Sequence, residues 1–219
     1  MYDLASSHMC LYEKDAVSRG FLRVGGVDEV GRGALAGPVV AACVMLDGYN
    51  IPEGIVDSKK IADAARRRLC EKIRSSAACI GIGVVGPEII DEVNIHNATV
   101  IAMKTAVESM KMKPDFLLID AVKLNDISIS TLSLIKGEER SVSIAAASIV
   151  AKVFRDDIMI DLERKYPHYG FSQHKGYGTV LHVAKLLEYG PSVVHRYSYK
   201  PVAKTRETWK LKKHLERQF

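Results

Sequence analysis

The chain has 219 residues, 47% of them hydrophobic, which suits one globular domain or one domain with an appendage. It has no apolar run of about 18 residues, which excludes a membrane-spanning helix. Its four cysteines (Cys10, Cys43, Cys70, Cys79) show neither CxxC pairing nor a histidine at zinc-ligand spacing, and read as free thiols of a reducing, cytoplasmic compartment.

Residues 1–20 have no strong period and read as a lead-in, loose or briefly helical. The N-terminus lacks a basic-then-apolar signal. Ser6-Ser7-His8-Met9 resembles a cloning scar, which would place a native start near Met9. Residues 21–46 then read as a hairpin. Phe21, Leu22, Val24 and Val27 lead into a strand with Asp28 and Glu29 near its end. Gly31-Arg32-Gly33 makes the turn, and Val39–Leu46 is the partner strand. Acidic residues are poor strand formers and costly to bury unpaired, so this pair asks for a cation. An acidic turn salt-bridged to Arg32 is the plainer alternative.

Residues 47–57 are a polar loop. Asp57-Ser58-Lys59-Lys60 precedes a helix from Ala62 to Arg74, with Asp57 or Ser58 as its cap. Lys59 and Lys60 then fall in the first turn, where the macrodipole disfavours cations. That is a hint of phosphate binding beside the plain reading of two exposed lysines. Ala77–Val85 reads as a buried strand. Pro87 opens a helical stretch, and residues 95–111 continue at helical spacing until Pro114 stops them. Phe116–Asp120 is a strand ending in a carboxylate, residues 121–131 a loop, and Leu132–Ile135 a last strand closed by Lys136-Gly137-Glu138.

Ser141–Lys165 is the strongest helix, capped by Ser141 or Ser143. Its small residues Ala145–Ala147 permit close approach to a sheet. Residues 169–178 form a glycine-rich loop holding Tyr169, Phe171, His174, Lys175 and Tyr177, and residues 179–189 a short helix. From Lys200 to Phe219 seven basic residues face Glu207 and Glu216, so this segment carries the whole net charge of +5. A basic end on a near-neutral body suggests a polyanion partner, the plain alternative being a solvated helix. The order of elements is mixed α/β, antiparallel at the hairpin and parallel through the crossovers.

Asp28/Glu29, Asp120 and Glu138 all end strands or follow them at once. If the strands from 24 and 116 are parallel neighbours, Asp28 and Asp120 point at one place, on the edge where open α/β sheets bind ligands. Carboxylates that close repel unless metal intervenes, and oxygen donors without His or Cys select Mg²⁺ or Mn²⁺. Such a site suits two-metal phosphoryl transfer. Adjacent strand residues face opposite sides, however. Either the strand has ended by Glu29, or Glu29 reaches the metal through its longer stem or its backbone carbonyl.

Five blocks, GVDEVGRGALAGPVV, DSKK, LLIDA, SIAAASIVAKVFRD and FSQHKGYGT, occur in this order between about Phe21 and Pro201. Together they resemble the bacterial ribonuclease HII family. The resemblance implies an RNase H-like mixed five-stranded sheet flanked by helices, with a helical C-terminal extension. It divides the chain into a lead-in (1–20), a catalytic core (21–165) and a C-terminal substrate-binding part (166–219). It implies an endoribonuclease that hydrolyses the RNA strand of RNA–DNA hybrids. It also implies incision 5′ to single ribonucleotides in duplex DNA, leaving a 3′-hydroxyl and a 5′-phosphate. Asp28, Glu29, Asp120 and Glu138 become the catalytic ligands of two Mg²⁺ or Mn²⁺ ions.

Gly31, Arg32, Gly33 and Tyr177 become the readers of the ribonucleotide junction, with Lys59, Lys60, His174 and Lys175 as further substrate contacts. A glycine-rich turn lets backbone approach the 2′-hydroxyl, and a tyrosine ring can stack on the next sugar. Asp156 is expected to orient Arg155 or cap local backbone. A monomer is expected, with a replication sliding clamp as a possible partner and no membrane. Three positions depart from the family pattern. Glu138 stands where Asp is usual, Ala121 where Gly is usual, and Ala34 where Pro is frequent.

The alternatives are ribonuclease HIII or a Holliday-junction or transposase-like nuclease of the same fold, and a non-catalytic nucleic-acid-binding module. Ribonuclease HIII carries a sizeable N-terminal domain, whereas about 23 residues precede the first strand here. A non-catalytic nucleic-acid-binding module would leave clustered acids repelling phosphate.

Overall fold

Every residue of Val39–Leu46 (β2) is buried, in keeping with its unbroken apolar run. β2 pairs antiparallel with Val24–Val30 (β1), Gly26 opposite Val44 and Val30 opposite Val40. The computed structural model describes residues 8–48, 50–55 and 61–216. Ala77–Val85 (β3), Phe116–Asp120 (β4) and Ser130–Leu134 (β5) complete a five-stranded sheet of order β3-β2-β1-β4-β5. β4 runs parallel to β1 and β5 parallel to β4. The expected mixed sheet is therefore present, with the acid-bearing strands β1 and β4 side by side at its middle.

The helices are Leu11–Ser18 (α1), Asp63–Ser76 (α2), Pro87–Glu108 (α3), Val142–Lys165 (α4), Phe171–His174 (α5), Val180–Tyr189 (α6) and Lys200–Glu216 (α7). None is long and apolar enough among the described residues to cross a membrane. The N-cap position of α2 is held by Ala62. The expected caps Asp57 and Ser58, and with them Lys59 and Lys60, lie outside the described residues. α3 breaks at Asn94, whose φ is 70°. The Asn94 side chain accepts from the His96 and Asn97 amides at 3.0 and 3.1 Å, and so caps the helix where it restarts. The glycine-rich stretch 169–178 is not all loop. α5 interrupts it, bracketed by Gly170 and Lys175 in left-handed conformation.

The chain divides into two compact units, and they differ from the boundaries expected at 20/21 and 165/166. The first takes the described residues up to Val30, then Val40–Val84 and Thr99–Phe154. The second takes Gly31–Val39, Val85–Ala98 and the described residues from Arg155 on. In the first, the lead-in is part of the core. Ala16 of α1 is buried with Val24, Phe116, Leu118, Leu134 and Ile144, and Tyr12 and Val17 pack against them. Glu13, fully buried, accepts from the Ser141 hydroxyl at 2.6 Å and the Ser143 amide at 3.0 Å. Ser141 in turn accepts from the Ile144 amide at 3.2 Å, the expected cap of α4. In the second unit, Leu35 and Ala36 are buried with Met159, Tyr169, Phe171, Leu186 and Val202. The turn after β1 joins that unit because its apolar residues bury there.

Candidate active site

β1 brings Asp28 and Glu29 to the site because α4 can lie directly on it. A Cβ on Gly26 would meet backbone atoms of Ser143 and Ile144 at 2.1–2.3 Å, so only glycine permits this contact. Ala145, Ala146 and Ala147 of α4 are all fully buried, as their small size anticipates. Parallel pairing sets Val27 beside Ile119, and the next step along both strands is Asp28 and Asp120.

Oxygens of Asp28, Glu29 and Asp120 lie within 4.8 Å of one another. β1 does not end before Glu29, which still pairs with Ala41. A Glu29 carboxylate oxygen is one of the three in the cluster, so the longer stem brings it within reach. The Glu29 amide donates to Oδ1 of Asp28 at 2.7 Å. Asp120 Oδ1 accepts from the Gly137 amide at 2.6 Å. Glu138 follows in a short turn (Gly137–Glu139) and is buried, but it is not one of the three clustered acids.

Burial holds the Asp28 carboxyl well above the usual carboxylate range, and the charges of Glu29 and Asp120 push it further. A hydrogen bond from the Ser148 side chain of α4 and one from the Glu29 amide partly offset this. At 4.8 Å, two like charges repel by about 3 kcal/mol at an effective dielectric of about 20. Three carboxylates with no nitrogen or sulfur donor fit a hard divalent cation, which would relieve that repulsion.

The second unit holds Gly31, Arg32, Gly33, His174, Lys175 and Tyr177. Gly31 has φ +95°, and a Cβ there would meet Arg155 Nε at 2.1 Å. A Cβ on Gly33 would meet nothing within 4 Å, so that residue borders open space. Arg32 is exposed, while its carbonyl accepts from Arg196 Nη1 at 2.9 Å and from the Tyr199 hydroxyl. Ala34 bridges to Tyr177, and the Leu35 amide donates to the Gly176 carbonyl at 2.8 Å. Arg155, fully buried, donates to the carbonyls of Pro38 (2.9 Å), Ala36 (3.2 Å) and Lys175 (2.9 Å). Its guanidinium carbon lies 5.3 Å from the Tyr177 ring centroid. The Gly31–Gly33 turn and the His174–Tyr177 stretch are thus one construction. Burial lowers the Arg155 guanidinium to about 10, and the Asp156 charge is among those opposing the shift. Asp156 is not among the clustered acids.

Tyr177 is half-buried. His174 is buried, and both its ring nitrogens are used by the loop's own backbone. The Lys175 ammonium turns back onto the Ser172 carbonyl. The sequence reading missed Ser148, Arg196, His182 and His195. Charged and imidazole side chains within apolar stretches were the available signal for the last three.

Strand-end acids on two neighbouring parallel strands of a mixed five-stranded sheet place an acidic, cation-binding site on a fold of the ribonuclease H class. A ribonuclease H2 from Pyrococcus horikoshii OT3 superimposes with a TM-score of 0.74 at 24% identity, covering 86% of this chain and 99% of its own. The ribonuclease HII in a PCNA complex from Archaeoglobus fulgidus gives a TM-score of 0.65 at 24% identity, covering 82% of this chain and 96% of its own. The family model for Ribonuclease HII matches residues 25–202. A Ribonuclease HII from Acetivibrio thermocellus is 51% identical over 191 residues, 87% of this chain and 75% of that protein. The chain belongs to the ribonuclease HII family and is a ribonuclease H.

Proposed function

We propose that this chain hydrolyses the RNA strand of RNA–DNA hybrids and also incises 5′ to a single ribonucleotide embedded in duplex DNA. The convergence of three carboxylate oxygens within 4.8 Å, from two neighbouring strands, carries this reading. Asp28, Glu29 and Asp120 would hold the ions, with Glu138 completing the ligand set. Bound as a pair, Mg²⁺ or Mn²⁺ supplies an activated water and neutralises charge at the phosphate and the departing 3′-oxygen. Gly31 and Gly33 let backbone groups approach the one 2′-hydroxyl that marks the junction. Tyr177 offers its ring to the adjoining sugar. Lys59 and Lys60, outside the described residues, contact phosphates, as does the basic segment from Lys200 on, without reading sequence. The archaeal complex with PCNA supports a sliding clamp as a further partner. Four free thiols support a reducing, cytoplasmic setting.

The test is gel analysis of a duplex with one ribonucleotide, in Mg²⁺, Mn²⁺ or EDTA. The expected result is one cut on the 5′ side of the ribonucleotide, with a 3′-hydroxyl product, abolished by EDTA. Asp120→Asn should remove cleavage while leaving duplex binding within a few fold. Metal-independent cutting, or products ending in a 2′,3′-cyclic phosphate, would overturn the reading.

A further inference from the structure

Three histidines of the second unit, His174, His182 and His195, are buried. His174 stacks on His182 with ring centroids 4.3 Å apart. His182 Nε2 lies 3.1 Å from His195 Nε2. Each of these rings also touches a backbone group that can only donate or only accept, so every proton is fixed.

The Gly176 amide donates to His174 Nδ1 at 3.1 Å, so His174 carries its proton on Nε2, which donates to the Tyr169 carbonyl at 2.8 Å. The Ser192 amide donates to His195 Nδ1 at 3.0 Å, and the Ser192 hydroxyl lies 2.9 Å from the same atom. The His195 proton is therefore on Nε2. His182 Nδ1 lies 3.0 Å from the Tyr177 carbonyl, which only accepts, so His182 is protonated there and bare at Nε2. Donation then runs one way: His195 to His182, and His182 to the Tyr177 carbonyl. On its other side, the Tyr177 amide donates to the His174 carbonyl at 3.0 Å.

We propose that this neutral histidine chain is a positioning device for Tyr177, and that His182 sets where the tyrosine ring stands when the ribonucleotide junction is read. The inference rests on the role given to Tyr177 above. His182 does not touch substrate in it. Burial holds His182 at about 4 and His195 at about 3, so both stay neutral and keep these tautomers around neutral pH. His174, expected to contact substrate, works here on the same loop from within.

The test has two arms, both on the full chain. In ¹⁵N-histidine NMR of the wild type at neutral pH, His182 should be the Nδ1–H tautomer, and His174 and His195 the Nε2–H tautomers. A cationic His182, or one protonated on Nε2, overturns the proposal without any variant needing to fold.

In the second arm, His182→Leu removes the donor to the Tyr177 carbonyl, and His182→Asn places an amide N–H near the position of Nδ1. His182→Leu should lower single-ribonucleotide incision about tenfold more than hybrid cleavage, and His182→Asn should recover most of that ratio. Equal losses on both substrates, or no rescue, overturn it. A wild type that cuts the hybrid but not the single-ribonucleotide duplex defeats the role of Tyr177. An intact wild-type preference that His182→Leu leaves unmoved defeats the histidine chain alone.

Discussion

The amide of Gly137 donates to Oδ1 of Asp120 at 2.6 Å, tying the turn that carries Glu138 to the strand end that carries Asp120. A Cβ there would meet Ile144 Cδ1 at 2.6 Å and Asp120 Oδ1 at 3.2 Å, so a larger residue would have to displace the Ile144 side chain. Glu138 thus follows directly on a residue fixed to the acid cluster. Its extra methylene relative to Asp changes reach, not charge. Glu138→Gln should lower hybrid cleavage about a hundredfold, whereas Glu138→Asp should stay active with an altered ratio of Mg²⁺ to Mn²⁺ rates. Steady-state rates with each ion check both. Wild-type rates from Glu138→Gln with both ions would remove Glu138 from the ligand set.

Asp28 sits among like charges, and that has a cost in the metal-free chain. Replacing it by an isosteric neutral group removes two repulsions and a buried charge. Asp28→Asn should therefore be more stable than wild type without metal, by about 1–2 kcal/mol, while cleavage falls by about 10³. Millimolar Mg²⁺ should raise the melting temperature of the wild type and leave that of the variant nearly unmoved. Thermal melts with EDTA and with Mg²⁺ decide it. A variant less stable than wild type in EDTA would mean that hydrogen bonding at Asp28 outweighs repulsion.

Ala121 follows Asp120 with φ 47°, in the left-handed region. Its amide donates to the Leu134 carbonyl at 2.9 Å, so the conformation is held by the sheet edge. A Cβ costs about 1–2 kcal/mol in this region, while glycine costs about 0.5–1 kcal/mol through the unfolded chain. The first effect wins. Ala121→Gly should gain about 0.5–1 kcal/mol in urea melts, with no change in the denaturant slope. A loss of stability would show that the turn tolerates Ala without strain.

The sheet and the clustered acids were legible because each depends on local pattern. Phe116–Asp120 is an apolar run closed by an acid, and a parallel neighbour then needs only the right register to bring Asp120 to Asp28. The capping of α4 by Ser141 was legible for the same reason. What was not legible are contacts made across long stretches of chain. Glu13 reaches Ser141 from the lead-in, and Arg155 gathers carbonyls from Ala36, Pro38 and Lys175. A buried Arg in an alanine-rich helix has no periodic signature that names its acceptors. The unit boundaries were hidden likewise, because Leu35 and Ala36 bury with residues far along the sequence.

Acid stability should report the buried histidines. Folding lowers His182 from 6.5 to about 4 and His195 from 6.5 to about 3, chiefly through burial. A depressed folded value means that the unfolded chain binds more protons between the two values. The stability tied to neutral rings is therefore complete above about 6.5, and is lost as pH falls from there towards about 4 and 3. Glu13 and Asp28, raised by burial, act in the opposite sense, and Glu163 and Lys175 face His174 with opposite charges. A difference measurement isolates the histidine. The stability of the wild type minus that of His195→Gln should shrink by about 1.4 kcal/mol per pH unit below 6.5. Urea melts of both chains between about pH 7 and 5 measure that slope. A difference that stays flat across this range would mean that His195 is not held neutral by the fold.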